Sequence, residues 1–190
     1  MSPQRSHLTG MDVFRNLPNM LSLARLCLVP VSIALISSQA WMLAFAAFVC
    51  AGVSDALDGW LAKRFGLESE LGAYLDPLAD KALLVSIYVT LALAGEVPRW
   101  LAILIVSRDL MIIGAVLMAL ALARPLQIRP LFISKLNTAA QIGFAGLVLG
   151  MKAFELPTGM IFIGALASVA ILTLASMAAY LRQWLAYMSA

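Results

Sequence analysis

Long apolar runs separated by short polar breaks make up most of the chain from residue 18 onward. Six runs come close to or exceed the roughly 20 residues that a helix needs to cross the hydrocarbon of a bilayer. They cover residues 18–38, 40–62, 73–94, 97–122, 132–153 and 157–185. None alternates strictly between apolar and polar positions, and in lipid only helices and closed barrels satisfy their backbone. The pattern predicts an all-α, polytopic membrane protein, a bundle of six transmembrane helices.

The start of the chain is different in character. Residues 1–16 are polar and end in MDVFRN, a short amphipathic piece that we expect to lie at the membrane interface as a helix. The apolar run that follows has no small-residue cleavage site, so a targeting peptide is not expected. Without internal repeats or linkers, residues 1–190 are predicted to form a single domain.

Composition agrees with this class of protein. The chain is 63% hydrophobic and 12% charged, whereas a soluble domain is about half apolar and a quarter charged. Cys27 and Cys50 lie in apolar runs and are interpreted as small buried hydrophobes. The net charge of +3 suits a basic rim against lipid headgroups better than nucleic acid.

The basic residues near the ends of the runs predict orientation. Seven lie on one side, against Arg99 and Lys152 on the other. The seven are Arg5, Arg15, Lys63, Arg64, Arg124, Arg129 and Arg182. Because positive loops stay in the cytoplasm, both termini and the loop after the second run are predicted to be cytoplasmic.

Six of the ten acidic residues lie between residues 55 and 80, and four of these are aspartates, Asp55, Asp58, Asp76 and Asp80. The first two are three apart and the last two four apart, so each pair shares one face of a helix. Carboxylates this close in a poorly solvated place repel each other, and protonation or bound cations relieve the repulsion. Oxygen ligands of this kind suit two Mg²⁺ or Mn²⁺ ions, which are common in phosphoryl transfer.

Residues 55–80 give the pattern D-x2-D-G-x2-A-K-x8-G-x3-D-x3-D. This resembles the signature of the CDP-alcohol phosphatidyltransferase family, in which Arg stands where this chain has Lys63. Lys is a point charge, so two-pronged phosphate contact from this position is in doubt, although Arg64 follows directly.

The resemblance implies roles for individual residues. Asp55, Asp58 and Asp76 would hold one metal ion and Asp55, Asp76 and Asp80 the second, with Asp80 also acting as the base. The CDP-lipid would be bound by Asn19, Gly59, Ala62, Lys63, Ser69 and Gly72. The implied reaction is attack by an alcohol on the β-phosphorus of a CDP-linked lipid, with release of CMP. A homodimer is implied as well.

Two further polar groups interrupt the later runs. Arg108 and Asp109 lie near the middle of the fourth run, where a charge costs at least about 2.5 kcal/mol. Lys135, Asn137, Thr138 and Gln141 open the fifth. One interpretation is an internal salt bridge of Asp109 with Lys135 or Lys81 that serves only packing. In the other, Arg108, Lys135 and Asn137 bind the acceptor, and Asp109 orients one of the cations.

SRDLMIIGAVL and SKLNTAAQI resemble the CMP-forming cardiolipin synthases, a branch of that family with phosphatidylglycerol as acceptor. The phosphatidylglycerophosphate synthases are similar but carry a second Lys where this chain has Asn137. A phosphate monoester, with its charge near −2, favours an extra cation, whereas a diester needs only a neutral amide. Asn137 therefore favours the lipid acceptor.

The resemblance thus implies a cardiolipin synthase that uses CDP-diacylglycerol and phosphatidylglycerol, and we expect it in a bacterial cytoplasmic membrane with its active site facing the cytoplasm. The alternative within the family uses glycerol 3-phosphate; inositol and serine are less favoured acceptors. A small divalent-cation transporter is a more distant alternative, because the Asp pairs lie near one membrane face rather than at the midplane. A non-catalytic membrane scaffold also stays open.

Overall fold

The computed structural model describes the backbone of residues 10–65, 70–121 and 132–188, and the side chains of residues 23–57, 78–115, 118 and 132–185. These residues form six helices and no strand, as predicted. The helices are α1 (Gly10–Ser37), α2 (Trp41–Phe65), α3 (Glu70–Leu93), α4 (Arg99–Ala121), α5 (Phe132–Ala153) and α6 (Met160–Met188). Residues 10–16, expected as a separate interfacial piece, are the first turns of α1, and residues 1–9 lie outside the described residues.

Three short connections reverse the chain at one end of the bundle. Each uses a residue in the left-handed region to end a helix: Gln39 (φ 56°), Gly95 (φ 80°) and Glu155 (φ 53°). After α3, the Glu96 amide donates to the Leu91 carbonyl at 2.9 Å, which satisfies a carbonyl of the last turn. Consecutive helices across these turns therefore run antiparallel.

The helices do not pack in chain order. Following the contacts between neighbours gives a closed ring, α1–α2–α5–α6–α4–α3 and back to α1, with α3 also touching α5 across the middle. α3 therefore contacts α1, α4 and α5 at once. Residues of α2, α3, α4 and α5 are brought around one interior space by this order.

An aromatic cluster joins α3, α5 and α6 on the inside of the ring. Tyr88 is fully buried and stacks on Phe144, with ring centroids 6.4 Å apart, and Phe144 contacts Phe162 at 5.4 Å. The Tyr88 hydroxyl donates to the Gln141 carbonyl at 2.8 Å, so its polar atom is satisfied within the core.

The outward faces are apolar. Cys27 and Cys50, interpreted from the sequence as buried, are instead exposed. Large side chains such as Leu93, Ile103, Leu110, Ile163 and Ile171 are more than half exposed. An apolar surface this extensive marks a face that contacts lipid or a partner. By length and composition two helical stretches in the described residues can cross a membrane, Phe132–Ala153 and Met160–Leu185. The apolar stretches of α1 and α2, Leu23–Ser37 and Trp41–Leu57, are shorter.

Glycines let α5 approach α2. A Cβ built at Gly146 would lie 3.1 Å from Cε1 of Phe48, and one at Gly150 would lie 3.3 Å from Cε2 of Phe45. A Cβ at Gly143, on the same helix, would meet nothing within 4 Å. The close approach of α2 and α5 therefore depends on the small residues on one face of α5.

We expect Gly146→Leu to lower the free energy of unfolding by about 1–3 kcal/mol, because the added side chain must push Phe48 and α2 away. Gly143→Leu is the matched control and should leave stability unchanged or slightly raised. Thermal unfolding of both variants in the same detergent measures the difference. Equal melting temperatures would contradict the close packing of α2 on α5.

Candidate active site

The charged centre of the bundle is built around Arg25 of α1. This side chain is 2% exposed, and its Nη1 contacts Oδ1 of Asp80 at 2.6 Å and Oδ1 of Asp55 at 3.0 Å. Asp55 comes from α2 and Asp80 from α3, so one guanidinium joins three helices. Each carboxylate is about half exposed, which leaves it open to the space beside it.

The predicted convergence of the two Asp pairs is therefore seen for one member of each pair. Asp58 lies three residues after Asp55 on α2, and Asp76 lies four residues before Asp80 on α3. Helical spacing puts each on the face of its described neighbour, but the side chains of both lie outside the described residues. In the described part of the chain no three acidic, His or Cys side chains form a group that could hold a metal ion.

The side chains predicted to bind the CDP-lipid also lie outside the described residues. Asn19 is within α1, and Gly59, Ala62, Lys63 and Gly72 are within α2 and α3, but their side chains lie outside the described residues. Ser69 lies between the two helices and is also outside them. Their binding roles stay predictions.

A second polar cluster is centred on Asp109 of α4. Its Oδ1 contacts Nη1 of Arg108 at 2.6 Å and Nζ of Lys81 at 3.2 Å. The sequence left Lys135 and Lys81 as possible partners of Asp109, and in the structure Lys81 makes the contact. This carboxylate lies between two positive charges, which compensates for its burial.

Arg108 is 3% exposed, and every side of its guanidinium meets a partner. Besides Asp109, it donates to Ser134 of α5 and, at 3.1 and 3.2 Å, to Ser176 of α6. The Tyr180 ring lies below it, with its centroid 5.9 Å from Cζ. Arg108 therefore ties α4 to α5 and α6, a structural role that can coexist with anion binding.

Asn137 and Gln141 face α6. Asn137 is fully buried, and its Oδ1 accepts a hydrogen bond from Thr173 at 2.9 Å. The Gln141 side-chain amide reaches the same hydroxyl at 3.4 Å. Asn137 is thus in the interface between α5 and α6, while Lys135, two residues earlier, is exposed.

Both charged clusters line one cavity of about 380 Å³ between α1, α2, α3, α4 and α5. Its charged side chains are Arg25, Asp55, Asp80, Lys81, Arg108 and Asp109. Three acids and three cations cancel in formal charge. The rest of the lining is largely apolar and includes the exposed residues Val49, Gly52 and Ile142. The cavity is therefore amphipathic.

The Asp55–Asp80 pair fits a divalent cation in its donor chemistry. Two carboxylate oxygens from different helices lie within 3.0 Å of one nitrogen, so they can share one cation. Carboxylate oxygen is the ligand type preferred by Mg²⁺ and Mn²⁺. The half-exposed side chains have room for water or substrate to complete a coordination shell.

Arg25 is the residue that sequence reasoning missed. It lies in the first apolar run, in LSLARLCLVP, where a charge is as costly as that of Arg108. The rule that identified Arg108 as a candidate applies equally to Arg25. Ser134, Thr173 and Ser176 carried no comparable signal, because isolated hydroxyls are common in membrane helices.

We expect Asp109→Asn to lower the free energy of unfolding by about 3–5 kcal/mol, because it leaves the buried Arg108 charge without its carboxylate partner. The control is Glu96→Gln, which breaks the 2.6 Å pair of Glu96 with the partly exposed Lys152 at the other end of the bundle. That pair should be worth about 1 kcal/mol or less. Chemical unfolding of both variants in detergent tests the ranking, and equal losses would contradict it.

Comparison with known proteins identifies the family. A sequence model described as CDP-alcohol phosphatidyltransferase matches residues 15–187. A probable phosphatidylglycerophosphate synthase of Mycobacterium tuberculosis is 35% identical over 151 residues, which are 76% of this chain and 71% of that protein.

Two eukaryotic relatives are similar over a comparable stretch. The human cardiolipin synthase (CMP-forming) is 40% identical over 142 residues, covering 66% of this chain and 47% of its own length. The chloroplastic CDP-diacylglycerol–glycerol-3-phosphate 3-phosphatidyltransferase 1 of rice is 33% identical over 150 residues, 70% of this chain and 46% of that protein. The family match spans all six helices, and the chain belongs to the CDP-alcohol phosphatidyltransferases, membrane enzymes that act on a CDP-alcohol and an alcohol acceptor.

Proposed function

We propose that this enzyme is a cardiolipin synthase of the CMP-forming type, which transfers the phosphatidyl group of CDP-diacylglycerol to phosphatidylglycerol. The observation that carries the proposal is the meeting of Asp55 and Asp80 in the lining of an amphipathic cavity. Such a cavity suits a substrate with a diphosphate at one end and acyl chains at the other.

The order of residues along the helices supports this fit. On α2, Val49 and Gly52 precede Asp55, and on α3, Leu83 and Leu84 follow Asp80. These apolar residues line the same cavity as the two acids. A lipid with its headgroup at the acids can therefore extend its chains along the apolar part.

The proposed metal ligands are the four Asp. Asp55, Asp58 and Asp76 would hold one Mg²⁺ or Mn²⁺, and Asp55, Asp76 and Asp80 the other. The family is generally dependent on divalent metals. When bound, the ions offset the charge of the diphosphate and stabilise the leaving CMP.

The chain's own groups would do the remaining work. Asp80 takes the proton from the acceptor hydroxyl as the oxygen of that hydroxyl forms a bond to the β-phosphorus. The bond from this phosphorus to the oxygen that bridges the two phosphates breaks, and CMP leaves with that oxygen. Gly59, Ala62, Lys63, Ser69 and Gly72, with Asn19, would hold the cytidine and its phosphates.

We place the acceptor's phosphate near Arg108 and Lys135. Arg108 lines the cavity, and Lys135 is exposed on the first turn of α5. Asn137, proposed from the sequence as an acceptor residue, lies in the interface between α5 and α6. Its role would be that a neutral amide, and not a second Lys, occupies this position, so the site has no extra cation. A diester such as phosphatidylglycerol needs no such cation, whereas glycerol 3-phosphate would favour one.

The relatives include both a cardiolipin synthase and a phosphatidylglycerophosphate synthase, so the acceptor assay is the decisive experiment. Purified enzyme with Mn²⁺ and CDP-diacylglycerol should release CMP when phosphatidylglycerol is added and form cardiolipin, detected by mass spectrometry. Release of CMP with glycerol 3-phosphate alone would identify the enzyme as a phosphatidylglycerophosphate synthase. Metal flux into proteoliposomes without turnover of the CDP-lipid would favour a transporter.

We further propose that the chain is a single domain in a bacterial cytoplasmic membrane, that its active site opens to the cytoplasm, and that it works as a homodimer. The distribution of basic residues supports the orientation.

We expect Asp80→Asn to reduce turnover by about 10²- to 10⁴-fold, the usual contribution of a general base. The amide is similar in shape but cannot accept the proton, so CDP-lipid binding should persist in part. Turnover is measured as CMP release and binding by titration of labelled CDP-diacylglycerol.

Glu155→Gln, in the turn before α6, is the control for handling and expression. Unchanged turnover of Asp80→Asn would remove Asp80 from the role of base. Asp55→Ala should have a different effect from Asp80→Asn. Because Asp55 is a proposed ligand of both ions, this variant should lose metal binding and turnover together.

A further inference from the structure

We propose that Arg25 is a built-in competitor of the divalent cation at Asp55 and Asp80, and that it weakens the hold of the enzyme on that ion. The inference rests on the proposed metal site. It concerns a positioning residue, because Arg25 is argued to act through the two carboxylates.

The contacts define the competition. A cation bound between α2 and α3 would be coordinated by the facing carboxylate oxygens of Asp55 and Asp80. Nη1 of Arg25 lies on one oxygen of each, at 3.0 and 2.6 Å. A short, charge-assisted bond of this kind holds its carboxylate strongly. A dication binding there must share these oxygens with the guanidinium or displace it.

Burial prevents Arg25 from leaving. Its side chain is 2% exposed and comes from the middle of α1, which packs on both α2 and α3. A dication a few ångströms from this fixed positive charge is repelled in a medium that screens poorly. Arg25 therefore opposes cation binding whether or not its hydrogen bonds to the Asp oxygens are kept.

The same charge has a use once an anion is present. The diphosphate of a CDP-linked lipid adds negative charge to a cavity where described acids and cations balance. Arg25 favours that anion and disfavours the dication, so its presence makes tight metal binding depend on the anion. Such coupling is reciprocal, because each ligand changes the affinity of the other equally.

Arg25→Gln tests this directly. Asp55 and Asp80 are each about half exposed, so losing their partner leaves them access to water rather than a buried uncompensated charge, and the variant should fold. The probe is Mn²⁺ alone, without lipid substrate. Its affinity is measured on wild type and variant in nanodiscs from the paramagnetic resonance signal of free Mn²⁺.

We expect Arg25→Gln to bind Mn²⁺ at least about tenfold more tightly than wild type, because the opposing charge is gone. Arg25→Lys, which keeps the charge, should stay close to wild type. Lys152→Gln is the control: it removes a paired cation of the opposite end, and Mn²⁺ affinity should not change. Circular dichroism and thermal unfolding establish that each variant is folded.

Unchanged or weaker Mn²⁺ binding in Arg25→Gln would overturn the inference and make Arg25 a scaffold that assembles the site. An Arg25→Lys variant that tightens as much as Arg25→Gln would also overturn it. Failure of the proposed metal site is seen separately, since neither wild type nor Arg25→Gln would then bind Mn²⁺.

Discussion

A buried charge inside a membrane bundle must find a partner, and this requirement shapes the interior of the enzyme. Arg25 of α1 contacts Asp55 of α2 and Asp80 of α3. On α4, Asp109 contacts both its neighbour Arg108 and Lys81 of α3. Lipid offers these groups no solvation, so the helices must come together for the charges to be tolerated. The pairs also concentrate the charged groups in one cavity.

The ring order of the helices brings the paired charges together around one cavity. Because α1 packs on both α2 and α3, one guanidinium reaches an acid from each. Because α4 lies between α3 and α6, Arg108 reaches Ser176 while its neighbour Asp109 reaches Lys81. Two charged clusters from four helices thus open on a single cavity whose remaining wall is largely apolar. The proposed lipid substrates likewise combine charge with hydrocarbon.

Much of this could be predicted. The length and uninterrupted character of the apolar runs predicted six helices with ends within a few residues of those observed, except that α1 begins at Gly10 rather than at residue 18. The spacing of Asp55 to Asp80 predicted facing acids, and the structure joins one from each pair through Arg25. The motif indicated the family that the sequence comparison shows. These succeeded because helix length, helical period and motif spacing are local properties.

Predictions of contacts across the bundle were weaker. Asp109 had two possible cations, and only the packing of α3 against α4 selects Lys81 over Lys135. Asn137 was predicted to bind the acceptor beside Lys135, because its neutral amide stands where the phosphatidylglycerophosphate synthases carry a second Lys. In a helix residues two apart face different directions, and Asn137 instead faces Thr173 of α6.

The sequence by itself determined the membrane helices, the family and the faces on which the four Asp lie, since each follows from the order of residues along one helix or one motif. Only the tertiary structure decided that Arg25 stands between Asp55 and Asp80, that Asp109 pairs with Lys81, and that both clusters share a cavity. Those outcomes depend on which helices become neighbours. That choice is made by the packing of whole faces, such as the glycines of α5 against Phe45 and Phe48, and no local pattern encodes it.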